Sequence, residues 1–273
     1  SATTDGQLNS LCDLLESIQE SAGVVKVREA ILAERERAFG AESKEAGVAL
    51  HELGEPYYRL GDYTKARDAY ERALPIKERA YGRDHTSVAL TLTKLGCAYG
   101  DLGDHAKKRD MLERALAIEE RTYGRDHPNV AITLTNLGNA YGTLGDHAKK
   151  RDMLERALAI DERAYGRDHP EVAQTLTNLG NAYGALGDTA KQRDILMRAL
   201  AINEREYGSD STQVAITLAS LGNAYYSLGD YAKARDLQER ALAIKERAYG
   251  RDHPEVAKTL GNLSLIHISE PTR

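Results

Sequence analysis

The sequence predicts an all-α solenoid of stacked helix-turn-helix units, and three observations predict it. Gly40, Gly82, Gly124, Gly166, Gly208 and Gly250 stand 42 residues apart without exception. The pair Leu-Gly recurs in step at Leu53, Leu95, Leu137, Leu179 and Leu221, and the triplet Leu-Gly-Asp at Leu60, Leu102, Leu144, Leu186 and Leu228. Segments 83–124 and 125–166 differ at only eight positions. A fixed period of about 20–50 residues marks a solenoid, because each unit shields its apolar side against its neighbours rather than within itself.

Taken in order, residues 1–40 fit the period poorly. Leu8, Leu11, Ile31, Leu32 and Phe39 fall in place, but the Leu-Gly-Asp turn is missing, so this stretch reads as a degenerate first repeat or cap. Unit 41–82 carries Pro56 and Pro75 where its sisters have Ala. A proline inside a helix costs about 3 kcal/mol, so a kink or a loosened unit is expected there. Unit 125–166 shows the common plan. Asp126 or His127 can cap, and Pro128 suits the first helical position. Val130, Leu134, Leu137 and Tyr141 form one helical stripe. Gly145-Asp146 ends the first helix. A second helix from about Ala148 to Arg163 carries Leu154, Ala157, Leu158 and Ile160, and Gly166 closes the unit in a left-handed conformation. Pairs such as Arg109–Glu113 and Asp110–Arg114, four apart, read as a solvated outer face.

The array therefore covers 41–262, five full units and a truncated last helix. Residues 263–273, LSLIHISEPTR, break the pattern. They coincide with the in-frame translation of a common transposase-type sequencing-library adapter and read as a library artefact. The chain opens on Ser1 rather than Met, so both natural ends are expected to lie outside it.

Of 273 residues, 41% are hydrophobic and 29% charged, with a net charge of −5. That is enough apolar material for a continuous core. The mild acidity argues against general nucleic-acid binding, which needs surplus Lys and Arg. No apolar run of about 18 residues is present to span a membrane. Cys12 and Cys97 form neither a disulfide framework nor a metal motif and fit a reducing, cytoplasmic compartment. Fifteen Tyr against one Phe and no Trp reflect a few positions copied many times.

Little in the chain suggests catalysis. His85, His127, His169 and His253 occur once per link, and His105 and His147 add one more each in two units. Zinc needs three or four converging ligands, so the link histidines read as repeated caps and no metal is expected. No G-x-x-x-x-G-K-[ST] phosphate loop is present. Carboxylates alternate with Lys and Arg, without the secluded pair that acid–base chemistry needs. Cys97 reads as a small wall residue. The expectation is no enzyme and no cofactor.

Leu134, Leu137, Gly138, Tyr141, Gly145 and Ala157 together resemble the tetratricopeptide repeat. The 42-residue length and the link from Tyr165 to Leu176 resemble its kinesin light chain subtype, and residues 41–262 carry the likeness. The resemblance implies a right-handed superhelix whose first helices line a concave, peptide-holding groove. Two departures stand out. Lys108, Lys150 and Gln192 replace the small residue that Ala66 and Ala234 supply, and are expected to snorkel outward. Gly138, Gly180 and Gly222 stand where the subtype tends to have Ala.

By the same resemblance, Asn139, Asn181 and Asn223, with Asn136 and Asn178, face the groove, and Thr135 and Thr177 lie beside them. A carboxamide offers both a donor and an acceptor, so a ladder of them can bond the backbone of an extended peptide. Gly142 and Gly184 would leave room on the groove floor. The alternative is that these asparagines cap, solvate or pair with one another. Basic groups on the first helices are few, chiefly Lys94 and Arg59 against Glu52, Glu55 and Asp101, so an acidic peptide finds little attraction. The resulting expectation is a protein–protein interaction scaffold that binds an extended peptide or partner segment, and neither nucleic acid nor membrane. A regulatory or sensor arm of a larger signalling ATPase or other multidomain protein is the alternative. A self-assembling array, stacking through an exposed final face, is a third possibility.

Overall fold

A computed structural model describes Ser10 and residues 21–269. Leu8, Leu11, Cys12 and residues 270–273 lie outside the described residues. Residues 21–269 form twelve helices. These are α1 (Ser21–Phe39), α2 (Lys44–Arg59), α3 (Tyr63–Tyr81), α4 (Thr86–Asp101), α5 (His105–Tyr123), α6 (Pro128–Thr143), α7 (His147–Tyr165), α8 (Pro170–Ala185), α9 (Thr189–Tyr207), α10 (Thr212–Ser227), α11 (Tyr231–Tyr249) and α12 (Pro254–Ser269). The fold is an all-α solenoid, and no strand occurs among the described residues.

Local chemistry sets these bounds. The ring nitrogen Nδ1 of His85, His127 and His169 accepts the backbone N–H two residues on, at 3.0 to 3.2 Å, so the repeated link histidine is a cap. Ser43 and Ser211 do the same work with a hydroxyl. Second helices start at an aspartate whose carboxylate accepts from the N–H three residues on, as Asp146 does from Lys149 at 3.0 Å. Such caps contribute about 0.5–2 kcal/mol each. From Gly40 to Gly250, a glycine with φ between 77° and 91° turns the chain every 21 residues. Gly166 takes φ 90° and ψ 156°. Its φ is positive as expected, but its ψ is extended rather than left-handed helical. Helix α7 is also longer at both ends than the expected Ala148–Arg163.

The chain forms two compact units, Ser1–Ala140 and Tyr141–Arg273. Within the first, α1 packs on α2, α2 on α3, α3 on α4 and α4 on α5. Its core runs through Ile31, Leu50, Leu53, Tyr70, Ala73, Ile76 and Leu95, with a second cluster of Val88, Leu92, Ala115 and Ile118. Within the second, consecutive helices from α7 to α12 pack on one another. The same positions recur there as Val172, Leu176, Ala199 and Ile202, and again as Val214, Leu218, Ala241 and Ile244. The copied stripe is thus the copied core, and its burial is the main stabilising term.

Two expectations need correction. Helices α2 and α3 run through Pro56 and Pro75 as continuous helices, and the unit is not loosened. Pro56 sits in the last turn, where few helical bonds remain to lose. Pro75 lies between Ala73 and Ile76, both almost fully buried, so core packing outweighs one missing hydrogen bond. On the outer face, Asp110 pairs with adjacent Arg109 at 2.6 Å, while Arg114 reaches Glu78 of α3 at 2.5 Å. Asp110 and Arg114 therefore do not pair with each other: one pair lies along α5, and the other ties α5 to α3. The last helix, α12, buries Val256, Thr259, Leu263 and Ile266.

Candidate functional site

In the second unit, first helices touch first helices: α8 meets α10, and α10 meets α12. No comparable contact joins second helices α9 and α11 among the described residues. The closer spacing of first helices makes theirs the inner side of this unit.

On that side, α8, α10 and the C-terminal end of α9 enclose a cleft of about 380 Å³. Gln174, Thr177 and Asn178 line it from α8, Asn203 and Tyr207 from α9, and Gln213, Ile216 and Thr217 from α10. Buried Asn203 donates from Nδ2 to the Thr217 hydroxyl at 3.0 Å. Around this fixed floor, Gln174, Gln213, Ile216 and Tyr207 are exposed and Asn178 is half-buried. The cleft therefore offers carboxamides and two apolar side chains but no fixed charge other than Glu171.

The expected site residues divide. Thr177 and Asn178 come together in the cleft. Thr177 is buried, and its hydroxyl donates to the Ala173 carbonyl at 2.9 Å, so it is already committed within its own helix. Asn181 on α8 is exposed and lies outside the cleft. Asn223 on α10 is exposed, and its Oδ1 accepts from Gln238 Nε2 of α11 at 2.8 Å. Its partner is thus a second-helix glutamine, not another asparagine. In the first unit, Thr135, Asn136 and Asn139 are all half-buried on α6.

Gly142 and Gly184 do not leave open floor. A Cβ at Gly142 would meet Lys150 Cδ at 2.5 Å, and one at Gly184 would meet Gln192 Cδ at 2.6 Å. Gly100 stands in the same relation to Lys108, at 2.5 Å. The long second-helix side chains do not snorkel outward; they lie across glycines of the first helix. Burial lowers the pKa of Lys150.

Sequence reasoning missed a buried polar pair that recurs in each repeat. Positions 77, 119, 161, 203 and 245 near the ends of second helices hold Lys77, Glu119, Asp161, Asn203 and Lys245, all buried. Each is followed 14 residues later by a buried threonine: Thr91, Thr133, Thr175, Thr217 and Thr259. Lys77 donates to Thr91 at 3.0 Å and Lys245 to Thr259 at 3.1 Å, whereas the Thr175 hydroxyl donates to Asp161 at 2.8 Å. A rotating hydroxyl can donate or accept. Where it accepts, its proton goes to its own helix, as Thr91 shows with the Ser87 carbonyl at 3.0 Å. The one trace in the sequence is that this position changes charge from repeat to repeat while the threonine does not.

Burial lowers Lys77 to about 8. Burial, with Lys77 and Lys94 nearby, lowers His51 to about 3, so its ring is neutral beside Thr91 at 3.1 Å. Burial raises Glu119 and Asp161 against the opposing hydrogen bond from their threonines. Burial also raises the Cys97 thiol, which favours the non-nucleophilic form. Among the described residues no cluster of three or more His, Cys, Asp or Glu could hold a metal ion, and no helix is long and apolar enough to cross a membrane.

Comparison with known proteins agrees with this architecture. A tetratricopeptide repeat family profile matches residues 45–118, 109–160 and 144–204, and a second tetratricopeptide repeat profile matches 214–255. No curated protein matches the chain. Among solved structures, a Podosopora anserina chain described as a kinesin light chain with nearly identical TPR-like repeats is 24% identical. It superposes with a TM-score of 0.63 over 74% of this chain and 95% of that one. BtubC (BKLC) from P. vanneervenii is also 24% identical, with a TM-score of 0.69 over 84% and 92%. The apo form of RapI is 17% identical, with a TM-score of 0.69 over 90% and 65%. At these identities the likeness is one of fold.

Proposed function

The chain belongs to the tetratricopeptide repeat family, and on that premise we propose that it is a protein-interaction scaffold holding an extended partner segment along its first helices. Repeats of this family generally mediate binding of protein partners. The observation that carries the finer reading is the cleft of about 380 Å³ between α8, α9 and α10. A pocket of that size takes one or two side chains of a peptide and fixes them with a few placed polar groups. Asn178, Gln174 and Gln213 supply donors and acceptors without charge, while Ile216 and Tyr207 supply apolar contact.

The exposed carboxamides of Asn181 and Asn223 extend this face along the second unit. In the first unit, Thr135, Asn136 and Asn139 present the same chemistry. Such groups pair with peptide backbone and discriminate weakly among sequences. The scaffold acts without catalysis or cofactor. The free thiol of Cys97 fits a cytoplasmic setting.

A peptide array screened with the intact chain would supply a ligand. Asn178→Ala with Gln174→Ala should weaken it about tenfold or more, by loss of two hydrogen bonds. Asn139→Ala with Asn181→Ala tests the ladder in each unit. Unchanged affinity in both double variants would defeat the proposal.

A further inference from the structure

The five copies of the first-helix tyrosine are not equivalent. Tyr57, Tyr99 and Tyr183 each donate their hydroxyl to a glutamate 28 residues earlier, Glu29, Glu71 and Glu155 respectively. In each unit a lysine eight residues later lies over the ring, as Lys191 does over Tyr183 at 5.0 Å. The three tyrosines are buried, at 8–9% exposure.

At Tyr225 the glutamate is replaced by Met197. The hydroxyl meets the Met197 sulfur, at 3.9 Å, and Tyr225 is half-buried. Lys233 still lies over its ring at 5.2 Å. Beside the ring is a hollow of about 340 Å³, lined chiefly by Met197, Leu200, Leu221 and Leu237. Two acidic residues also line it: Glu204, paired with Arg240 at 2.6 Å, and Asp236, paired with Arg235 at 3.8 Å.

The sister site shows what is missing. Around Tyr183, Arg151 interacts with both Glu155 and the tyrosine. Around Tyr225, Arg193, Asp194, Asp230 and Lys233 line one shallow hollow, and Met197 stands where the glutamate would be. Both cations are paired with their own aspartates, Asp194 at 2.7 Å and Asp230 at 2.9 Å. The sister cations have the same partners, Asp152 and Asp188, and still accommodate Glu155.

We infer that the Met197–Tyr225–Lys233 hollow is a second docking site, which takes a glutamate side chain of a partner protein flanked by aliphatic residues. The guest carboxylate accepts from the Tyr225 hydroxyl near Arg193, as Glu155 accepts from Tyr183 near Arg151 in the sister repeat. The guest's aliphatic neighbours fill the hollow against Leu200, Leu221 and Leu237. This site is formed by second helices α9 and α11 with the end of α10, so it is distinct from the cleft on the first-helix side.

The chain has three methionines, Met111, Met153 and Met197, so methyl-labelled protein gives a three-signal spectrum. Titrating blocked Leu-Glu-Leu should move the Met197 methyl alone, with a dissociation constant of order 1 mM, and blocked Leu-Gln-Leu should bind about fivefold or more weakly. Met197→Glu restores the internal carboxylate. It should raise the unfolding temperature and cut calorimetric binding of Leu-Glu-Leu about tenfold. Tyr225→Phe, which preserves the ring, should weaken Leu-Glu-Leu about threefold or more by removing the hydroxyl donor. Equal binding of the two peptides, undiminished binding by Met197→Glu, or no Met197 shift up to roughly 10 mM would overturn the inference. A peptide selected through the Asn178 cleft should bind Met197→Glu as it binds the parent, which separates failure of this site from failure of the first.

Discussion

Each second helix makes two kinds of repeated contact, one near its start and one near its end, and the repeats vary them differently. Near the start, both partners change together. Ala66 and Ala234 accompany Tyr58 and Tyr226 on the first helix, while Lys108, Lys150 and Gln192 accompany Gly100, Gly142 and Gly184. Near the end, only one partner changes: Lys, Glu, Asp or Asn meets an unvarying threonine. Packed volume has no slack, so a long chain on one helix demands a glycine on the other. A hydroxyl does have slack, because rotating one bond turns a donor into an acceptor.

The strongest way to break this contrast is to mismatch the packed pair. Gly184→Tyr with Gln192 retained should cost about 3 kcal/mol, and adding Gln192→Ala should recover most of it. Urea unfolding of the two singles and the double measures the coupling, and additive costs would deny the pairing. Next in size is Thr175→Val, which keeps shape but removes the donor to Asp161. A loss of about 2 kcal/mol is expected, from a buried carboxylate left short of a partner.

The pH dependence sharpens the other side. Lys77 falls from its ordinary 10.5 to about 8 in the folded chain. Between those values the unfolded chain binds more protons, so stability should rise with pH from about 8 toward 10.5, by up to about 2 kcal/mol. Lys77→Met should flatten that rise, which thermal melts across the range would read. Smallest is Asp161→Asn, which copies the Asn203–Thr217 pair and should stabilise by about 1 kcal/mol at pH 7. The raised folded pKa of Asp161 favours stability at acid pH and loses it as pH climbs from about 4 through the folded value. The variant should therefore gain nothing near pH 3, and an equal gain at both pH values would contradict the assignment.

The fold was legible because its determinants are local and copied. Period, cap residues, turn glycines and apolar stripes each point to the same helices. The prolines misled because helix propensity ignores the core around Pro75. Of the candidate site, Asn178 and Thr177 were legible as first-helix polar groups. Asn203, Gln192 and Met197 were not, since their importance depends on which first-helix residue lies opposite. Departures from the copied sequence held that information: an Asn amid charged sisters at 203, and a Met amid glutamates at 197.

The turn glycines, set 21 residues apart from Gly40 to Gly250, have a consequence for the length of the molecule. Excising any stretch of 42 residues rejoins equivalent positions and returns every remaining bend to its place in the sequence. Near-identical copies such as 83–124 and 125–166 are also the tracts most prone to unequal exchange. Such a chain can shed or acquire whole modules in a single genetic event without a misplaced corner, so its reach can evolve in discrete steps while its cross-section stays constant.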